Sequence, residues 1–209
     1  MTTNFIDMDD PFLKMVKRNR FVVLDTETTG LRYPSEIVQI AICDFMGSEI
    51  LNTYVRCVLK IPKEATAIHG ITNDMLEDAP AWGVVRDQVY EILHGKDVIV
   101  YNAAFDFSML EFSDQVIGVN NIHWHEICDP HCAMLWYADL YGEWDDYHGT
   151  NRWQKLTNAV HQQQLIVGNA HDAMGDVQMT YALVKHLLAK QASDHLLSQL
   201  LHPTIPRDS

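Results

Sequence analysis

The chain has 209 residues, enough for one domain with a sizeable core and short for two full domains. With 47% apolar and 21% charged residues it has an ordinary globular composition, and no run approaches the roughly 18 apolar residues of a membrane span, which excludes an integral helical membrane protein. A formal charge of −13 argues against a phosphate-rich ligand gripped by Lys and Arg alone; such a ligand would require bound cations to reverse the local sign.

The first residues, MTTNFIDMDDPFLKMVKRNR, mix acids and bases without the apolar run of a secretory signal, so the expected location is the cytoplasm. Cys43, Cys57, Cys128 and Cys132 are too few and too irregularly spaced for a disulfide framework and read as free thiols.

In chain order, FVVL at 21–24 predicts a buried strand and IVQIAIC at 37–43 a second, after the turn-like GLRYPSE. ILNTYVRCVL at 50–59 predicts a third strand, ended by Ile61-Pro62. Thr72 or Asn73 is placed to cap a short helix over 74–79, and Ala81 to Leu93 has apolar residues at helical spacing before His94-Gly95. DVIVY at 97–101 predicts a strand, followed by a helix that carries Asp106 in its first turns. Residues 123–152 are polar, aromatic and irregular around a helix over 131–142, which suggests a substrate-facing loop region. Helices over Trp153–Gln164 and Asp172–Gln191 close the chain, with HLLSQLL either extending the last helix or forming another. Strands, helix, strand and helices in this order predict an α/β domain with a mixed sheet whose site lies beyond the strand ends.

Asp25-Thr26-Glu27 follows the first apolar strand. Residues two apart in a strand share a face, so both carboxylates converge on one space and suit a hard cation such as Mg²⁺ or Mn²⁺. Taken alone, Asp-x-Glu is more often simply the solvated end of a strand. Asp106, at the end of another strand, adds a carboxylate at the same sheet edge, although an acid early in a helix also serves as a dipole partner. His171 and Asp176, in AHDAMGD, place an imidazole at a helix entry and a carboxylate five residues later.

Together these residues resemble the DnaQ-like DEDD(h) exonucleases, which include polymerase proofreading subunits, ribonuclease T and oligoribonuclease. The resemblance rests on DTETTGL at 25–31, AIHGIT at 67–72, YNAAFD at 101–106, KLTNA at 155–159 and HDAMGD at 171–176, in the family's order. His171 lies five residues before Asp176 and position 172 is Asp, so the likeness is to the histidine subgroup rather than the tyrosine one.

The resemblance implies a ribonuclease H-like α/β fold, with a mixed five-stranded sheet flanked by helices. It implies an N-terminal extension at 1–19, the exonuclease domain at 20–191 and a C-terminal tail at 192–209. It also implies metal-dependent 3′–5′ exonuclease activity with two Mg²⁺ ions, for which Mn²⁺ can substitute. Asp25 would bridge both metals, Glu27 and Asp176 would bind one, Asp106 would support the other, and His171 would deprotonate the attacking water. Thr28, with Leu31 or His69, would hold the terminal nucleotide, and Asn102 would orient the Asp106 loop; a structural turn at His69 and a self-bonded turn at Asn102 are the alternatives.

The expected ligand is the 3′ end of a nucleic acid, single-stranded DNA before RNA. RNA trimming or oligoribonucleotide degradation is the alternative, which a homodimer would favour. A reading of another class makes the chain a polymerase- or helicase-bound interaction subunit. His123, His125, Cys128, His131 and Cys132 have the residue types of a zinc site without a two-plus-two spacing, and the sequence leaves zinc open. Among Trp136, Tyr137, Tyr141, Trp144, Tyr147 and Trp153, core packing is expected for most, and Trp144 and Tyr147 are the better placed to stack on bases.

Overall fold

The computed structural model describes residues 10–166 and 172–201. Its centre is a five-stranded mixed sheet in the order β3-β2-β1-β4-β5. The strands β1 (Phe21–Thr28), β2 (Ile37–Asp44) and β3 (Glu49–Tyr54) form an antiparallel meander. On the other side of β1, β4 (Asp97–Val100) and β5 (Asp129–Cys132) run parallel to it and to each other. This is the predicted mixed sheet flanked by helices.

Period-two alternation in the central strands feeds two separate cores. Phe21, Val23, Ala41 and Ile99 pack toward α1 (Pro11–Lys17), α6 (Ala133–Tyr141), α7 (Leu156–Gln162) and the long α8 (Ala173–Leu201). Val22, Leu24, Ile40, Ile42, Val98 and Val100 pack toward α3 (Trp82–Leu93), α4 (Ala103–Val116) and α5 (Trp124–Ile127). Among the described residues no helix is long and apolar enough to cross a membrane.

The second core contains a buried charge network. The Asp114 carboxylate accepts from the indole N–H of Trp82 at 2.8 Å, the indole N–H of Trp124 at 3.0 Å and Nε of Arg86 at 2.9 Å. Three donors converging on one carboxylate tie α3, α4 and α5 together and satisfy groups that would be costly to bury alone.

Several elements differ from expectation for local reasons. The third strand ends at Tyr54 rather than near residue 59, because the amides of Val58 and Leu59 turn away from the ladder to the buried Glu36 carboxylate, at 3.0 and 2.7 Å. The helix expected over 74–79 is only a 3₁₀ turn at Asp74–Leu76: Asn73 does not cap it, and its side-chain oxygen accepts instead from the Ile61 amide. A short helix, α2 (Lys63–His69), was not predicted, since it buries no side chain and so shows no apolar stripe. Its end is set by Gly70, in the left-handed region at φ 75° with its N–H on the Thr66 carbonyl.

Helix α1 was also absent from the prediction. Asp10 caps it through the amides of Phe12 and Leu13, Pro11 opens it, and Leu13, Met15 and Val16 are buried in the first core. β5 reads Asp-Pro-His-Cys and carries no strand signal of its own, so its pairing with β4 imposes the extended form. The irregular region therefore resolves into α5, β5, α6 and a two-stranded hairpin, β6 (Trp144–Asp145) and β7 (Thr150–Asn151).

Candidate active site

The pleat of β1 distributes the functional side chains between the two layers. Phe21 and Val23 face α8, so Asp25 and Glu27 continue onto that face; Val22 and Leu24 face α4, so Thr26 and Thr28 continue onto the other. β4 ends at Val100, opposite Leu24, while β2 accompanies β1 as far as Thr28. The acidic end of β1 is thus a strand with one flank open, and the ladder is further broken by a bulge at Glu27/Thr28.

Two helices close on this open flank. α8 presents Asp176 in its first turn, and carboxylate oxygens of Asp25, Glu27 and Asp176 lie within 4.8 Å of one another. From the opposite layer, the first turn of α4 presents the buried Asp106. Its Oδ1 accepts from the Thr26 amide at 3.1 Å and the Thr26 hydroxyl at 2.7 Å, taking a backbone donor that β4 is too short to reach.

The electrostatics follow from four acids in one small space. Burial, followed by the charges of Asp106, Asp176, Glu27 and Asp172, raises the proton affinity of Asp25 well above that of an ordinary carboxylate. Glu27 is pushed up to about 7 by burial, then by Asp176, Asp106 and Asp172. Asp106 is likewise pushed to about 7 by burial, against the Thr26 hydrogen bonds, which favour its ionised form. These groups cannot all ionise cheaply without a cation, and an all-oxygen donor set with hard charges fits Mg²⁺ or Mn²⁺.

His171 lies outside the described residues. Its neighbour Asp172 contributes charge to both Asp25 and Glu27. The Asp172 carboxylate accepts from Nε2 of Gln39 at 2.7 Å, and that amide also reaches Asn52, so β2 and β3 hold the entry of α8. Thr26, Gln39 and Asp172 were missed from the sequence. Gln39 had a usable signal, since it interrupts the otherwise apolar IVQIAIC, whereas Thr26 is one polar residue among others in DTET and the Asp172 contact joins residues 133 positions apart.

Beside Glu27 opens a cleft of about 440 Å³ lined by Thr28, Leu31, Ala65, Ile68, His69 and Phe105 among others. It brings together Thr28, Leu31 and His69; Leu31 is 78% exposed and free to cover a ligand. Nδ1 of His69 accepts from the Ile71 amide at 3.0 Å, which leaves the proton on the buried Nε2. Burial lowers the proton affinity of the ring, with the Thr28 backbone acting the other way. Asn102 stands outside this cleft and caps α4 through its backbone: its carbonyl accepts from the amides of Phe105 and Asp106 at 2.9 and 3.3 Å.

The five His and Cys residues of 123–132 do not meet at one point. Cys128 and Cys132 lie against the carbonyls of Trp124 and Tyr101, His131 pairs with Asp97 at 2.9 Å, and His123 and His125 gather near Glu111. Trp136 and Tyr137 are core residues as expected, but Trp153 is 64% exposed, like Trp144 at 58% and Tyr147 at 91%.

Comparison with known proteins agrees with this arrangement. The exonuclease family (RNase T) matches residues 22–184. A protein of Escherichia phage 186, named uncharacterized exonuclease CP81, is 36% identical over 169 residues, covering 79% of this chain and 87% of that one. DNA polymerase III subunit epsilon of Escherichia coli is 28% identical over 103 residues, 44% of this chain and 42% of the subunit. Among solved structures, exonuclease X in complex with 5′ overhanging duplex DNA superposes with a TM-score of 0.58 at 20% identity, over 83% of this chain and 93% of that one. Product-bound exonuclease I superposes with a TM-score of 0.67 at 16% identity, over 87% and 46%. The chain belongs to the DnaQ-like exonuclease family and is a nuclease.

Proposed function

We propose that the chain removes nucleotides one at a time from the 3′ end of single-stranded DNA, releasing nucleoside 5′-monophosphates. The observation that carries this reading is the convergence of Asp25, Glu27 and Asp176 within 4.8 Å, with Asp106 held beside them by Thr26, next to a cleft of nucleotide size. Two divalent cations, Mg²⁺ with Mn²⁺ as substitute, would supply Lewis-acid charge at the scissile phosphate. Asp25 would hold both, Glu27 and Asp176 the one on the side of the attacking water, and Asp106 the other.

His171 is assigned to accept the proton of that water as its oxygen attacks phosphorus. The bond from phosphorus to the 3′ oxygen of the penultimate nucleotide breaks, and that oxygen takes a proton from solvent, leaving a shortened strand with a 3′ hydroxyl and a free 5′-monophosphate. Leu31, Ile68 and Phe105 offer the terminal base an apolar bed, and Thr28 with the adjoining backbone fixes its sugar. A bed of this kind selects a base that has left its duplex, which supports single-stranded or frayed ends.

Matched DNA and RNA oligonucleotides, each labelled at the 3′ or the 5′ end, test the reading. A 3′ label released at once as mononucleotide, with a 5′ label moving down a ladder, is expected, and faster on DNA. Faster loss from RNA would replace the DNA assignment with an exoribonuclease, and release from the 5′ end would overturn the polarity.

A further inference from the structure

The β6–β7 hairpin has no part in the carboxylate site, yet it hangs from the same edge of the sheet. The Tyr101 hydroxyl donates at 2.8 Å to the carbonyl of Gln154, at the foot of the hairpin, and Tyr101 directly precedes Asn102 and the helix that carries Asp106. The foot is braced twice more: Gln154 Nε2 donates to Glu143 Oε2, and Gln162 Nε2 donates to Gln154 Oε1, both at 3.0 Å. The Arg152 amide closes the hairpin on the Glu143 carbonyl at 2.7 Å. A rigid foot thus carries a protruding, aromatic tip.

That tip is unusual in what it exposes. Trp144, Tyr147 and Trp153 all face solvent. Next to Trp153 is a pocket of about 300 Å³ lined by Asp145, His148, Thr150, Asn151, Arg152 and Trp153. The Arg152 guanidinium is already engaged by Glu143 at 3.1 Å and Asp145 at 3.6 Å, and His148 by Asp145 at 3.1 Å. The hairpin therefore offers flat apolar faces while Glu143, Asp145 and Asp146 outnumber Arg152, so any contact with a nucleic acid must come from the faces of its bases. Such a surface suits the faces of unpaired bases and does not suit a phosphate backbone.

We infer that the hairpin is a stacking platform for single-stranded nucleic acid, on which Trp153, with Trp144, holds a base upstream of the scissile bond. This rests on the proposed exonuclease reading and deepens it: the carboxylate site cuts the last phosphodiester, and the hairpin keeps the remaining strand from dissociating. In a chain of net charge −13, stacking supplies affinity that Lys and Arg do not.

The test compares wild type, Trp153→Ala and Trp153→Phe on two substrates: a ten-nucleotide single-stranded DNA and the p-nitrophenyl ester of thymidine 5′-monophosphate, which is too short to reach the hairpin. For Trp153→Ala a rise in KM of roughly 5- to 100-fold on the oligonucleotide is expected, the equivalent of one lost base stack, with kcat and ester hydrolysis unchanged. Trp153→Phe should recover most of the affinity. An unchanged oligonucleotide KM, with both substrates still cleaved, overturns the platform while leaving the exonuclease reading intact. Equal losses on both substrates would also overturn it, by showing that Trp153 only supports the fold. If wild type cleaves neither substrate, the exonuclease reading fails and the platform falls with it.

Discussion

Replacing Glu27 with Gln should make the metal-free protein more stable at pH 8, although it removes a residue of the proposed site. Glu27 is pushed from its ordinary value of 4.5 to about 7 by burial and by the neighbouring acids. An acid whose proton affinity is raised on folding stabilises the fold below its unfolded value, near 4.5, and that contribution disappears as pH rises through the folded value near 7. The whole shift corresponds to about 3 kcal/mol, most of it lost between pH 5 and pH 8. The amide of the Glu27→Gln variant keeps the shape without the charge and suffers no such loss.

For a domain of this size 1 kcal/mol moves Tm by roughly 2–4 °C, so in EDTA the variant should gain about 5–10 °C on wild type between pH 5 and pH 8. The difference between the two proteins reports Glu27 together with its effect on Asp25, whose proton affinity the Glu27 charge also raises. Adding Mn²⁺ at pH 8 should reverse the order, because cations restore wild type and find fewer ligands in the variant. Thermal unfolding followed by circular dichroism reads all of these quantities. A Tm difference that stays flat with pH in EDTA would refute the reasoning.

Asp114→Ala should destabilise by about 3–5 kcal/mol, since it strands Arg86 and two buried indoles; a loss under about 1 kcal/mol in urea titration would show that the network is not structurally important. Thr26→Val removes a hydroxyl bonded at 2.7 Å to Asp106 and should raise the Mn²⁺ concentration for half-maximal activity about tenfold or more, with Thr26→Ser near wild type; equal behaviour of Val and Ser would sink this role. Gly47→Ala should cost about 1–3 kcal/mol in chemical denaturation, because φ is +84° and the added Cβ would meet the Tyr181 ring at 2.7 Å; unchanged stability would contradict the tight turn between β2 and β3.

The sheet was legible where burial is two-sided or strictly alternating: FVVL, IVQIAIC and DVIV carry their own signal. The same alternation already put Asp25 and Glu27 on one face. It could not say that β4 stops opposite Leu24, which opens the flank that Asp106 fills, because strand length here is set by pairing. β5 and α2 were illegible for the same reason in different forms: one is extended only because β4 lies beside it, and the other buries nothing. The Gln39–Asp172 bond depends on contact across the whole chain and leaves no local trace. Exposure of Trp153 was likewise hidden, since its sequence places it at a predicted helix start whereas α7 begins only at Leu156.

The most direct test of the account is the initial rate of 5′-mononucleotide release from 3′-labelled single-stranded DNA, compared for wild type and Asp25→Asn in EDTA, Mg²⁺ and Mn²⁺. Release by wild type is expected only when Mg²⁺ or Mn²⁺ is present, with a loss of at least about a thousandfold in the variant, because Asp25 is the carboxylate assigned to hold both cations. Release that persists in EDTA, or an Asp25→Asn variant with near wild-type rates, would contradict it.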